Sequence, residues 1–298
     1  MTEAERGILL LCAELSDGLR PLSTARLRSL KSLVQAAGPI PGDPDRNVTK
    51  EDLSAMGCRE EAAGEILSLL SRGEALERYL ALGREYGIRP ITLLSSAYPS
   101  KLRAKLGQTT PPVLFYKGDL SLLTRPAVSL VGSRELPAHC AAFAARIGEL
   151  AAREELVLIS GNAHGADQTA QNACLAAGGA VISVVADELF AHVRDDRQIL
   201  WLCETGWQLS FSAARAGSRN RLIHALGEKT FVACSGLHGG TFSGTSENLR
   251  HGWSPVFIPP EAGPGARRLV DLGANPCPYS PESLEELTEA AISFFHNC

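Results

Sequence analysis

Four short stretches of this chain combine glycine, hydroxyl and guanidinium groups at spacings suited to holding an oxyanion. The first, VGSRE, places Gly132, Ser133 and Arg134 directly after an apolar run. The second, ISGNAHGADQTAQ, holds Ser160, Gly161, Gly165 and Asp167. The third, AGSRNRLIHALG, brings Arg219, Asn220 and Arg221 to the start of a helical pattern. The fourth, SGLHGGTFSGTSENL, carries Gly239, Gly240, Gly244, Thr245 and Glu247. Glycine lets backbone N–H groups come close to an anion, hydroxyls add donors, and a following helix N-terminus favours negative charge. Arginine adds a planar fork that matches phosphate oxygens. One such turn is as well explained by chain reversal. Four of them at strand ends point to a shared ligand. Neither a G-x-G-x-x-G fingerprint nor a Walker lysine is present, which disfavours dinucleotide and P-loop readings.

Between Thr205 and Gly227 there is no aspartate or glutamate, whereas Arg215, Arg219, Arg221 and His224 all fall there, with Trp207 and Phe211. Cations for phosphates and ring faces for bases are what a single-stranded nucleic acid site needs. Each aromatic taken alone reads equally well as a core residue. The seven histidines are dispersed. His224 and His251 read as surface or helix-face residues, and no ligand spacing predicts a metal or cofactor.

These turns need a frame. From about residue 87 short apolar runs alternate with helical patterns: AVSLVGSR, CAAFAARIGELAARE, LVLISG, ADQTAQNACLAAGG, AVISVVA, then RNRLIHALG, KTFVACSG and PVFIPP. Continuous apolar strands suit a sheet buried on both faces by crossover helices, so the rhythm predicts a doubly wound, mostly parallel α/β sheet. Residues 1–86 show helical spacing throughout, interrupted by the connector GPIPGDPDRN at Gly38–Asn47. Thr49 followed by Asp52 offers a capping box. Residues 281–298 read as one closing helix.

Composition sets the outer bounds. The 298 residues are 45% hydrophobic, enough for a large domain and a smaller one, and the net charge is -4. A polyanion would therefore need a local basic patch. Eight cysteines are scattered without a C-x-x-C pair, as expected of reduced thiols in a cytoplasmic protein. The basic n-region of a signal peptide and any membrane-length apolar run are absent from the sequence.

Taken in order, YPSKL, PPVLFYKGD, VGSR, SGNAHGAD, RNRLIHAL, GLHGGTFSGT, PVFIPP and LVDLGA resemble the DprA/Smf family of DNA-processing proteins of natural transformation. The resemblance runs from about Pro90 to Pro276. It implies an extended Rossmann-like domain (87–280) after a small all-helical SAM-like domain (1–86). It also implies a divergent member without the C-terminal winged helix that some members carry. The function implied is non-enzymatic: binding and protection of single-stranded DNA, help in loading a RecA-type recombinase, and a homodimer formed through the Rossmann domain. Carried over by position, the DNA-facing residues are Gly132, Ser133, Arg134, Ser160, Gly161, Gly165, Arg219, Asn220, Arg221, Gly240 and Thr245, with Asp167 in support. Departures include ELPAHC after the first turn, Gln171 where a histidine is usual, and CETGWQ in place of a serine–glutamate–proline motif. GGTFSGTSE is also similar to the G-G-x-G-T-x-x-E motif of lysine-decarboxylase-like phosphoribohydrolases. In that alternative Glu247 and Arg219 would act on a nucleoside monophosphate.

Overall fold

The computed structural model describes residues 1–38, 46–192, 197–285 and 287. The expected connector at Gly38–Asn47 and the expected closing helix over 281–298 lie largely outside them. Two compact units emerge. One comprises Met1–Tyr98, Gly107–Phe115 and Glu204–Gln208; the other comprises Pro99–Leu106, Tyr116–Cys203 and the described residues from Leu209 onward.

The smaller unit contains α1 (Glu3–Cys12), α2 (Thr24–Ala37), α3 (Lys50–Ala55), α4 (Glu60–Leu70) and α5 (Gly73–Glu85), then β1 (Arg89–Thr92). The predicted capping box opens α3, with Asp52 N donating to the Thr49 hydroxyl and Thr49 N to Asp52. The continuous helical pattern after Arg59 is in fact two helices. Arg72 marks the break: its buried guanidinium donates to the Leu10 and Ala13 carbonyls, so it closes the open end of α1.

In the larger unit follow α6 (Ser100–Leu106), β2 (Val113–Gly118, entering from the smaller unit), β3 (Ala127–Val131), α7 (Ala138–Arg153), β4 (Val157–Ser160) and α8 (Ala166–Ala176). Then come β5 (Ala180–Val184), β6 (Ile199–Glu204), α9 (Ala213–Leu226), β7 (Thr230–Val232), α10 (Gly240–His251), β8 (Val256–Ile258), α11 (Ala266–Asp271) and β9 (Asn275–Pro276). From β6 the strand order is β6-β5-β4-β3-β7-β8-β9, and every registered pair is parallel. β6 was not anticipated; its run ILWLCE lies beside the polar stretch 187–198, which obscures it.

The two-residue period of β3 shows how the sheet is covered on both faces. Val128 and Leu130 join a buried cluster with Phe143 and Ile147 of α7 and Ala170 of α8. Ser129, facing the other way, donates its hydroxyl to the Ile223 carbonyl of α9. Gly148 allows the close approach of α7 to α8, since a Cβ there would lie 2.2 Å from the Ala170 carbonyl oxygen. The doubly wound α/β reading therefore holds. Among the described residues no helix is long and apolar enough to cross a membrane.

Candidate functional site

The strand order determines where a ligand can enter. β4, β5 and β6 lie on one side of β3, and β7, β8 and β9 lie on the other. The turns leaving β3 and β7 diverge, which opens a crevice at the carboxyl ends of the strands. A cavity of about 520 Å³ occupies it.

The first wall is the turn after β3. Ser133 donates both its N–H and its hydroxyl to the Cys234 carbonyl, at 3.0 and 3.2 Å, tying this turn to the end of β7. Gly132 fits because a Cβ there would lie 2.5 Å from that of Ala166. Gly165, with φ at +89°, carries the start of α8 so close to the first turn that a Cβ would sit 2.2 Å from the Arg134 carbonyl oxygen. Both constraints admit only glycine without a shift of backbone.

The floor is an ion pair. Arg219 Nη1 lies 3.7 Å from Asp167 Oδ2, and both side chains are almost fully buried. The same carboxylate oxygen accepts N–H groups from Gly161 and Ala163, each at 3.2 Å. Burial pushes the Asp167 carboxyl above its ordinary pKa, and the guanidinium and the two amides pull it back. Burial likewise lowers the Arg219 pKa, opposed first by Asp167. A Cβ on Gly161 would fall 1.2 Å from Arg219 Nη1, so glycine there makes room for the guanidinium.

The rim differs in character. Arg134 is exposed, and its guanidinium carbon stands 5.6 Å from the centre of the Phe211 ring, itself 52% exposed. Among the described residues no carboxylate pairs with Arg134. Opposite, α10 begins after Gly239, at φ +98° and without a side-chain cap. Asn220 Nδ2 donates to the Gly240 carbonyl at 3.1 Å and holds that helix end in place. The first-turn N–H groups of α10 lie at the cavity with the positive end of the helix dipole.

The cavity wall thus brings together Gly132, Ser133, Arg134, Asp167, Arg219, Asn220 and Gly240. It does not include Ser160, Gly161, Gly165, Arg221 or Thr245. Ser160 and Gly161 are buried at the end of β4, and Gly165 supports the first turn. Arg221 donates to the Ser218 carbonyl and hydroxyl, while Thr245 is enclosed within the packing of α10. Glu247 is also off the wall, so it does not join Arg219 there. α9 begins at Ala213, which puts Arg219 to Arg221 well inside the helix instead of at its start. The two aromatics part company: Phe211 lines the cavity, whereas Trp207 is fully buried in the smaller unit with its ring 5.0 Å from that of Tyr79.

His224 corrects an expectation. It is 1% exposed and touches the cavity floor, not the surface. Its neighbours Leu222, Ile223, Ala225 and Leu226 are all buried, a run of apolar residues that could have marked this helix end as enclosed all round. Sequence reading also missed the contributions of His238, Thr241 and Ser243. Among the described residues no group of three or more His, Cys, Asp or Glu side chains is placed to hold a metal.

Comparison with known proteins gives a consistent picture. A family model for DNA recombination-mediator protein A matches residues 89–289. The chain is 28% identical over 235 residues to the DNA processing protein DprA of Bacillus subtilis (strain 168), covering 74% of this chain and 78% of that protein. It is 28% identical over 222 residues to the DNA processing protein DprA of Streptococcus pneumoniae (strain ATCC BAA-255 / R6), covering 67% and 77%. Its fold matches the X-ray structure of the Streptococcus pneumoniae protein with a TM-score of 0.65 at 23% identity, over 86% of this chain and 95% of that one. The DNA processing protein A of Helicobacter pylori, solved for its single-stranded DNA binding mode, matches with a TM-score of 0.54 at 19% identity, over 70% and 96%.

Proposed function

The chain belongs to the DNA recombination-mediator protein A family, and from that premise we propose that its carboxyl-end cavity binds single-stranded DNA. The observation that carries this reading is the rim: an exposed arginine with no carboxylate partner among the described residues, lying over an exposed aromatic ring and facing an uncapped helix start. Arg134 and the α10 amides take phosphate oxygens. Phe211 offers its ring to a base, a sequence-tolerant contact. Because Arg219 and Asp167 neutralise each other, the positive charge felt by a ligand comes from the rim. That satisfies the need for a local patch on a chain of net charge -4. The cavity volume suits a nucleotide unit of an open strand and not a stacked duplex.

In this reading binding involves no bond-making. Among the described residues, Ser133 gives its hydroxyl to the Cys234 carbonyl and Ser243 to the Gly239 carbonyl, and neither bonds a histidine. Neither serine is therefore paired with a base as an activated nucleophile. In this reading the protein is cytoplasmic, protects incoming single strands and assists a RecA-type recombinase. It acts as a homodimer through its sheet domain (87–280), with the helical segment 1–86 as a separate domain and 281–298 as a closing element. The test is binding of a fluorescent single-stranded oligonucleotide against duplex DNA across a salt series. A preference for the single strand, with affinity falling steeply as salt rises, is expected. Absence of binding at low salt would remove the reading.

A further inference from the structure

His224 of α9 sits at the cavity floor with its Nδ1 3.2 Å from the Thr230 hydroxyl. A chain of hydrogen bonds continues from there. Thr230 Oγ1 lies 2.7 Å from Ser254 Oγ, and Asn248 Nδ2 of α10 donates to Ser254 Oγ at 3.2 Å. The direction of every proton in this chain can be deduced. Asn248 accepts the Ser254 N–H on Oδ1 at 2.9 Å and donates Nδ2 to the Ser254 carbonyl at 3.1 Å, so its amide can face only one way. Ser254 Oγ receives that amide, and among the described residues Thr230 Oγ1 is the only acceptor within reach of its own proton. The Thr230 hydroxyl, having accepted from Ser254, gives its proton to His224 Nδ1. The ring proton must then sit on Nε2, which has no hydrogen-bond partner among the described residues. Burial pushes the His224 pKa down to about 3, so the imidazole is uncharged in the cell.

We infer that His224 Nε2–H is a fixed neutral donor at the cavity floor that recognises an acceptor on a nucleobase edge. This assignment rests on the single-strand reading above and divides the site between rim and floor. The rim, with Arg134, Phe211 and the α10 amides, meets the phosphate and ring face common to all nucleotides. The floor offers one uncharged, oriented N–H, suited to a base carbonyl oxygen. Asn248, Ser254 and Thr230 are positioning residues that fix the tautomer without touching the ligand.

The test uses the full chain, oligo(dT) and an abasic oligodeoxynucleotide of equal length. His224→Ala should weaken oligo(dT) binding by about tenfold. Abasic binding and the slope of log affinity against log salt should stay unchanged. Equal losses on both strands would show a merely structural role and overturn the assignment. Thr230→Val keeps the imidazole but removes the donor to Nδ1, and it should reproduce part of the oligo(dT) loss. Long-range ¹H–¹⁵N correlation spectra of the wild type give a readout that needs no variant. They should show His224 as the Nε2–H tautomer, with its signals moved by oligo(dT) and not by the abasic strand. An Nδ1–H tautomer overturns the inference. Wild-type protein that binds neither strand overturns the single-strand reading and this assignment together, whereas loss of the His224 effect alone leaves that reading standing.

Discussion

The larger unit has a cavity at each end of its sheet, and the two are nearly equal in size: about 520 Å³ at the carboxyl ends and about 570 Å³ at the amino ends. Each is lined by two arginines, Arg134 and Arg219 at one end and Arg125 and Arg197 at the other. Their chemistry is opposite. At the amino ends α7 and α8 terminate, presenting carbonyl oxygens and the negative ends of their dipoles. There Arg125 donates to the Glu155 carbonyl and Gln198 to the Gly178 carbonyl, and two acidic residues, Asp119 and Glu155, also line the space. At the carboxyl ends helices begin, so N–H groups face the cavity and the one carboxylate on the wall, Asp167, is paired with Arg219. Volume and arginine count do not make an anion site. Helix direction is what favours an anion at one end and disfavours it at the other, because a parallel sheet with crossover helices sends helix starts to one end and helix stops to the other.

The largest expected effect comes from breaking the carboxyl-end floor. Asp167→Ala leaves Arg219 buried without its counter-charge and two amides without their acceptor, and should destabilise the protein by about 3–5 kcal/mol in urea unfolding. A loss under 1 kcal/mol would mean that the pair does not organise that end. Next is acid sensitivity, which His224 assigns to the same end. Its pKa is about 3 when folded and near 6.5 when unfolded, so the unfolded chain holds more protons between those values. Stability from this group is complete above 6.5 and lost as pH falls toward 3, and a drop from pH 7 to pH 5 should cost about 2 kcal/mol. Urea titrations at both pH values should show that His224→Gln removes that increment; an unchanged difference would contradict the assignment.

Smaller still is the rim. Arg134→Ala should leave stability within ±0.5 kcal/mol or so. It should lower the log–log salt slope of single-strand binding by about one and weaken affinity several-fold. At the amino ends Arg125→Ala should leave affinity and salt slope as they were. A loss matching that of Arg134→Ala would erase the contrast between the two cavities, and fluorescence anisotropy on one oligonucleotide measures both variants.

Much of this was legible in residue types. The buried strands AVSLV and VLIS, the crossover helices between them and the glycine turns all follow from apolar runs that stop at small polar residues. What escaped depends on partners far along the chain. Trp207 and Phe211 lie four positions apart in the same arginine-bearing stretch, and nothing local reveals that one is buried beside Tyr79 while the other stands beside Arg134. Arg219 read as a cation waiting for phosphate. Its counter-charge arises from Asp167, on a different helix, so its burial could not be foreseen. Gly161 was expected to face the ligand, and instead it clears a path for that guanidinium. Turn chemistry is local and could be read; the division of turn residues between wall and support is set by packing and could not.

The switch in strand order also bears on how the protein is made. Because β7 returns to the far side of β3, Gly132 to Arg134 and Gly236 to Ser243 face each other across the cavity although they lie far apart in the chain. During synthesis the first wall emerges well before the second, with β4, β5, β6 and α9 made in between. A partly made chain on the ribosome therefore has only the first wall of the cavity, and the proposed site is incomplete. Parallel pairing over such separations is slow to form. If the cavity binds as proposed, that competence arrives late, as a mark that the sheet has closed around its central strand.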